Sequence, residues 1–253
     1  MNKIVTRAEE AVAATVKNGQ TIAVGGFGLC GTPSALLEAL LDSGATNLHI
    51  IANNCGPENS AMTTLLRARR VRRVTASYIG DNAVFLRQYL EGSIRVDLVP
   101  QGTLAEKLRS GGAGIPAFYT PTGVGTALAD GTIAARYGTA GEASAYSRPR
   151  EVRTVGGRTC VLEESLTADV ALLRAETADP EGNLRFRGSA RNFNPLCAMA
   201  SETSIVEVQH TVAAGELAPD DIHLAGIFIS AVVPLAGSMH KPIERLRTAY
   251  RLR

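Results

Sequence analysis

The chain has 253 residues, 45% of them hydrophobic and 20% charged, with a formal net charge of +2. That is enough chain for a substantial core and too little net charge for a global field that would favour nucleic acid or a membrane surface. No apolar run approaches the ~18 residues of a membrane span, and Met1 to Val16 lacks the apolar segment of a secretory signal.

Thr6-Arg7-Ala8-Glu9 has the form of a capping box and predicts a helix to about Lys17, stopped by Asn18-Gly19. Thr21 to Val24 is a short apolar run before glycines, as in a buried strand. Pro33 opens a helix whose stripe is Leu36, Leu37, Leu40 and Leu41, and Gly44 ends it. A strand at Leu48–Ile51, a helix through Thr63–Leu66, a strand at Val71–Ser77, a helix over Phe85–Leu90 and a strand at Ile94–Val99 follow. Thr103-Leu104-Ala105-Glu106 is a second capping box, with Gly111-Gly112 closing its helix. Strand and helix alternate four times, which predicts an α/β fold: a largely parallel, Rossmann-like sheet flanked by helices.

The second half differs. Residues 128 to 150 are rich in Gly, Ala, Thr and Ser and read as a long surface loop. Glu151–Val155, Gly156-Gly157 and Arg158–Leu162 read as a β-hairpin. Further strands are expected at Asp169–Leu173, Asn183–Phe186 and Ser204–Val208, and a helix from Asn194-Pro195 through Met199. The run from Lys241 to Arg253 is basic and weakly helical. No linker divides the chain, so residues 1–253 are expected to form one domain. Cys30, Cys55, Cys160 and Cys197 form no CxxC pair and the four histidines are scattered, so no metal site is expected. Separated thiols of this kind fit the reduced cysteines of a cytoplasmic protein.

Gly26-Phe27-Gly28-Leu29-Cys30-Gly31 fits GxGxxG between a strand and a helix, the context of an NAD site. Such a site needs an acid at the end of the second strand for the ribose hydroxyls. Here that strand ends in Ala52-Asn53-Asn54, so the motif fails its own test. A glycine loop before a helix still suits close backbone approach and anion binding. The alternative is a turn that serves packing alone. Ligands of open α/β sheets sit beyond the carboxyl ends of the strands. Those ends supply Gly25–Gly28, Asn53-Asn54, Ser77-Tyr78 and Pro100-Gln101, which should converge. They can orient a carbonyl, a carboxylate or an amide, and they contain no nucleophile, general base or metal ligand.

The run Asn18-Gly19-Gln20-Thr21-Ile22-Ala23-Val24-Gly25-Gly26-Phe27-Gly28-Leu29-Cys30-Gly31-Thr32-Pro33 resembles the N-terminal signature of family I CoA-transferases. Residues 53–56 (Asn-Asn-Cys-Gly), 99–106, 111–119 and 190–194 are similar to the same family, so the resemblance covers nearly the whole chain. It is strongest to the A subunits that act on 3-oxoacids, with succinyl-CoA as usual donor. The resemblance implies a ping-pong enzyme in which a glutamate attacks the acyl-CoA and becomes a glutamyl-CoA thioester. In the family that glutamate sits in a Ser-Glu-Asn-Gly motif on the B subunit. This sequence has only Pro57-Glu58-Asn59-Ser60, where Glu58 reads as a first-turn carboxylate facing a helix dipole.

The resemblance therefore implies no catalytic nucleophile in this chain and a B-subunit partner, in a heterodimer or heterotetramer. Coenzyme A would be a substrate moiety, with no permanent cofactor. It further implies a CoA-side loop of Gly25, Gly26, Phe27, Gly28, Leu29, Cys30 and Gly31. Asn53 and Asn54 would bond near the thioester carbonyl, and Gln101 would contact the acid's carboxylate. The other readings are a helix-capping Asn pair and a solvated Gln101. The chain departs from the family at Pro57–Met62, at Arg174-Ala175-Glu176 where relatives read Lys-Ala-Trp, and at Ser93–Asp97. These departures bear on the acid substrate and partner contacts, not on the fold. Arg67, Arg69, Arg70, Arg72 and Arg73 crowd one helix end and the next strand. They read as a solvated face, a subunit contact or a CoA phosphate contact, and without interleaved aromatics they make a poor nucleic-acid motif. An NAD-binding oxidoreductase domain and a non-catalytic scaffold that kept the fold are the alternative functions.

Overall fold

The computed structural model describes residues 2–80, 82–138 and 140–235. The basic run Lys241–Arg253 lies outside them. The first half is built as α1 (Ala8–Thr15), β1 (Thr21–Val24), α2 (Ser34–Asp42), β2 (Leu48–Ile51), α3 (Ala61–Arg67), β3 (Val71–Ala76), α4 (Ala83–Leu90), β4 (Arg95–Leu98) and α5 (Gln101–Gly112). Then come β5 (Ala117–Thr120), α6 (Ala127–Asp130), β6 (Ala134–Tyr137), β7 (Ala143–Tyr146), β8 (Val152–Val155) and β9 (Arg158–Glu164). The chain returns to the main sheet with β10 (Ala168–Ala178), β11 (Leu184–Arg185), α7 (Asn194–Met199), β12 (Ser201–Thr211) and β13 (Ala231–Pro234).

The main sheet runs β13-β12-β10-β1-β2-β3-β4, all parallel, with β11 antiparallel to the end of β10. The expected fold class is thus borne out. Alternation along each strand divides the core. Ile22, Val24, Leu48, Ile50, Val74 and Val96 face one cluster with α1 to α4. Ala23, Ile51, Ala171 and Leu173 face a second with α5 and α7. In α2, Leu36, Leu37 and Leu40 are fully buried, each stabilising by roughly 1.5–3 kcal/mol relative to exposure. Leu41 is only half-buried, so the stripe is narrower than expected.

Several local expectations change. Neither capping box forms as such. The helix at Ala8 has Arg7 at its N-cap with no side-chain cap, and Thr6 Oγ1 instead donates to Glu10 Oε2 at 3.3 Å. The helix after β4 starts at Gln101 behind Pro100, so Thr103 lies inside its first turn. The supposed loop 128–150 contains α6 and the antiparallel pair β6-β7. That pair is held from outside: Tyr89 O–H on α4 donates to the Ala134 carbonyl, and the Tyr89 and Tyr137 rings meet edge-on at 5.1 Å. The β8-β9 hairpin forms as expected, and β5 joins it to make a three-stranded antiparallel sheet.

Candidate active site

The order of the main sheet places its switch point between β1 and β10, where chain progress reverses direction. In dinucleotide-binding sheets the ligand occupies the crevice at that point. Here it is filled by protein. Asn194, fully buried, accepts from Arg174 N at 3.0 Å and donates to the Gly31 carbonyl at 3.1 Å. Asn192 Oδ1 accepts from Gly26 N at 3.1 Å, and its Nδ2 donates to the Cys30 carbonyl at 3.0 Å. The Ala190–Asn194 stretch, noted in sequence only as a resemblance, is a latch over the glycine loop. A Cβ on Gly25 would stand 1.9 Å from Asn194 Oδ1, which is why glycine is required there.

The loop satisfies most of its own amides. Gly25 N donates to the Leu172 carbonyl, and Phe27 and Cys30 exchange two backbone bonds of 2.9 Å around a tight turn. Gly28, at φ +60°, occupies that turn with open space beyond it. The helix after the loop offers no anion site of the expected kind. Leu36 N, in the first turn of α2, donates to buried Glu207 Oε2 at 3.0 Å, and Glu207 Oε1 pairs with Arg174 at 3.1 Å. A carboxylate already complements the dipole that a pyrophosphate would need. With the plugged switch point, this removes the physical basis for an NAD site.

The open part of the rim lies toward β2, β3 and α5, and there the expected convergence occurs. Asn53 is 2% exposed. Its Oδ1 accepts from Ser77 Oγ and from Gln101 Nε2, both at 2.8 Å. Both lone pairs of that oxygen are then used. Ser77 N also donates to the Asn53 carbonyl at 3.0 Å, tying the ends of β2 and β3 together. Asn54 Oδ1 accepts from Gly56 N at 2.9 Å, a local turn. The Asn pair does not cap α3, whose N-cap is Ser60, accepting from Thr63 N at 3.2 Å. Gln101 is exposed yet bonded, so it is not a freely solvated loop residue.

The amides left over are chemically biased. Asn53 Nδ2 and Asn54 Nδ2 have no partner among the described residues, and Gln101 Nε2 keeps its second hydrogen. Against these stands one amide oxygen without a donor among the described residues, Gln101 Oε1. The cluster is therefore donor-rich and uncharged, suited to a carbonyl oxygen, an oxyanion or a carboxylate. A slot of about 10 Å³ separates the glycine loop from the Asn54-Cys55-Gly56 turn, so the two segments form one continuous wall. Phe27 and Tyr78 stand exposed on that rim at 48% and 56%.

The divergent stretch Pro57–Met62 is firmly held. Ser60 Oγ donates to the Cys55 carbonyl at 2.9 Å, Thr63 Oγ1 to the Pro57 carbonyl at 3.0 Å, and Asn82 Nδ2 to the Gly56 carbonyl at 2.9 Å. Glu58 is not in the first turn of α3, as expected from sequence. It precedes that helix and accepts from Ala83 N, at the start of α4, at 3.3 Å. The dipole argument holds, for a different helix. All four cysteines are buried and unpaired, and burial pushes the Cys55 and Cys197 thiols up to about 12, which makes them inert. Among the described residues no group of His, Cys, Asp or Glu could hold a metal, and no helix is long and apolar enough to cross a membrane.

Ser77 was among the strand-end groups expected to converge, while Asn82 escaped the reading of candidate residues. Asn82 carried a usable signal, as an N-cap residue before the apolar run Ala83–Phe85. The five arginines split, with Arg67 exposed at the end of α3. Arg69 reaches Glu91 and Ser93, Arg70 the Gly44 carbonyl, and Arg72 the Asn47 carbonyl, while Arg73 pairs with Asp97.

A family model described as coenzyme A transferase matches residues 5–234. The chain is 49% identical over 97% of its length to the A subunit of the probable succinyl-CoA:3-ketoacid coenzyme A transferase of Mycobacterium tuberculosis (strain ATCC 25618 / H37Rv), and covers 98% of it. It is 44% identical over 98% of its length to the A subunit of the succinyl-CoA:3-ketoacid coenzyme A transferase of Helicobacter pylori (strain ATCC 700392 / 26695), covering 98% of that protein. Among solved structures, an acyl-CoA transferase apoenzyme from Escherichia coli O157:H7 matches at a TM-score of 0.80 and 21% identity over 92% of this chain. The chain spans about half of that longer polypeptide, 47% of it. Glutaconate coenzyme A-transferase from Acidaminococcus fermentans matches at 0.75 and 20% identity, over 92% of this chain and 75% of that one. The two structural likenesses concern the fold.

Proposed function

The chain belongs to the coenzyme A transferase family, and from that premise we propose that it is the A subunit of a two-subunit enzyme moving CoA between succinyl-CoA and a 3-oxoacid. The observation that carries this reading is the donor-rich Asn53–Ser77–Gln101 cluster at the carboxyl edge, to which no carboxylate bonds among the described residues. In the proposed reaction a glutamate on the B subunit is the nucleophile and attacks the thioester carbonyl. The carbonyl oxygen gains negative charge, and Asn53 Nδ2 and Asn54 Nδ2 stabilise it. The C–S bond breaks, leaving a mixed anhydride and a CoA thiolate. The thiolate attacks the glutamyl carbonyl, releasing succinate and forming glutamyl-CoA. A 3-oxoacid, its carboxylate held by the free hydrogen of Gln101 Nε2, then reverses the steps. Residues Gly25 to Gly31 line the CoA side of the wall, chiefly through Phe27 and the Gly28-Leu29 tip, since their neighbours' amides are engaged internally.

The reading treats residues 1–253 as one domain of a heterodimer or heterotetramer, with CoA as a substrate moiety rather than a resident cofactor. The four buried, unpaired thiols support a reducing, cytoplasmic setting. The test is CoA transfer from succinyl-CoA to acetoacetate, with the chain alone and with its B subunit present. Transfer is expected only in the mixture. Activity of the isolated chain would reject the division of labour, and an assembled complex that transfers CoA to no 3-oxoacid would reject the substrate class.

A further inference from the structure

We propose that this chain carries a second binding site, for a small polyanion bearing carboxylates or phosphates, in a cleft separate from the carboxyl-edge crevice. The cleft has a volume of about 1000 Å³, and none of its lining residues belongs to the glycine loop or the Asn53–Ser77–Gln101 cluster. It lies on the sheet face opposite α1 to α4. There the alternation that buries Val74 and Val96 in the first core turns Arg73, Arg95 and Asp97 the other way, with Thr75 buried among them and Lys107 of α5 at the edge. The floor is thus β3 and β4, and the β6-β7 and β8-β9 segments supply the walls.

The charge arrangement carries the inference. On the floor Asp97 is shared by two guanidinium groups, Arg73 at 2.5 Å and Arg95 at 3.0 Å. In the wall Glu163 is shared by Lys107 at 2.8 Å and Arg150 at 3.2 Å. Each cluster therefore keeps one positive charge in excess. The second is deeply placed, with side chains only 9% exposed at Lys107, 15% at Arg150 and 2% at Glu163. Buried cations that outnumber their carboxylates are costly unless a further anion completes them. Arg72 and Arg136 use backbone carbonyls as acceptors, and Arg148 forms no ion pair among the described residues. Glu151 and Glu164 also line the cleft, Glu151 already accepting from Tyr119 O–H at 2.7 Å. The balance is seven Lys or Arg against four Asp or Glu.

Two further observations agree. Ser147 Oγ, in the wall, is buried without a hydrogen-bond partner among the described residues. A buried hydroxyl of that kind is costly and suits an oxygen-rich ligand. His49, behind Thr75 and bonded to it at 2.9 Å, is held neutral, first by burial and then by the field of Arg73. Converging guanidinium groups select planar or tetrahedral oxyanions through paired N–H bonds. A cleft of this size admits a di- or tricarboxylate or a phosphate ester.

The test is calorimetric titration of the full chain, with its partner subunit where the two co-purify, using citrate and then pyrophosphate at low salt. Saturable binding of either anion is expected, and the preferred one identifies the ligand as carboxylate or phosphate. Arg148→Ala should weaken binding about tenfold, as loss of one charge-assisted bond would, without altering thermal stability, because no side-chain bond of Arg148 holds the fold. Arg95→Ala should weaken it similarly, and Gln101→Ala should leave it unchanged. No binding of either anion at millimolar concentration would overturn the proposal. So would binding that survives both arginine variants, or competition by CoA, which would assign the cleft to the substrate. CoA transfer itself decides the proposed function separately, since none of these variants touches the carboxyl-edge cluster except Gln101→Ala.

Discussion

Asn53 shows how neutral residues become a directed site. An amide alone can present either end, but Ser77 and Gln101 donate to its oxygen from two sides, so the nitrogen is the end left free, and in the proposed reaction it is the end that meets the thioester. Ser77→Ala removes one of the two restraints, worth about 1 kcal/mol. Transfer by the complex should fall about five- to tenfold, mainly in kcat, with little change in melting temperature. Gln101→Ala removes a restraint and a substrate donor together and should cost about a hundredfold in kcat/KM. Kinetics of either variant indistinguishable from the parent would reject the role given to that residue. His49 is a different kind of residue, buried in the sheet between Thr21 and Thr75. Burial, then Arg73, lowers it from 6.5 to about 4, with Asp97 opposing and Arg72 and Arg95 adding to the effect. Between those values the unfolded chain binds a proton that the folded chain refuses. Stability is therefore full above the unfolded value and falls as pH drops toward 4. At 1.36 kcal/mol per pH unit, the ceiling of the loss is about 3 kcal/mol. Denaturant midpoints measured on the parent and on His49→Gln should diverge through that window, the variant showing the flatter profile. Equal losses in both proteins would clear His49 of the effect.

At the scale of elements, what could be read from sequence was whatever is locally encoded. β1 to β4 and their helices were legible because short strands rich in Val, Ile or Leu alternate with helices that carry a stripe such as Leu36, Leu37 and Leu40, with Gly25 and Pro100 following the first and last of the strands. The β6-β7 pair was not, because its strands are small and polar and owe their place to Tyr89 and Tyr137 on the neighbouring layer. β13 was missed for a related reason. Four residues ending in Pro234 say little alone, and they become a strand by pairing with β12. The second capping box misled because α5 starts at Gln101, behind Pro100 and two residues before Thr103, leaving Thr103 Oγ1 buried without a partner among the described residues. That earlier start has a functional side. It puts Gln101 on the first turn of a helix rather than in a loop, and so within 2.8 Å of Asn53. The site followed the same division. Its residue types at the strand ends were visible in sequence. The latch of Asn192 and Asn194 over the glycine loop was not, since it joins segments more than 160 residues apart.

For the molecule as a whole, the question is where the covalent chemistry comes from. Among the described residues the deeply placed carboxylates are committed elsewhere: Glu207 to Arg174 and α2, Glu163 to Lys107 and Arg150, Asp179 to the Glu181 and Asn183 amides, and the half-buried Asp97 to Arg73 and Arg95. The carboxyl-edge cluster itself holds only amides and hydroxyls. Glu58, five residues after Asn53, has its Oε1 engaged with the start of α4. A carboxylate so placed stabilises a helix end by about 0.3–1 kcal/mol, and Gln at the same position keeps the acceptor. Glu58→Gln should therefore leave transfer by the assembled complex near the parent rate. A covalent glutamyl-CoA adduct, trapped with acyl-CoA and located by peptide mapping, should lie on the partner subunit in parent and variant alike. Abolition of turnover in an intact complex, or an adduct mapping to Glu58 in the parent, would place the nucleophile in this chain. It would also turn the donor cluster from half of a shared site into the whole of one.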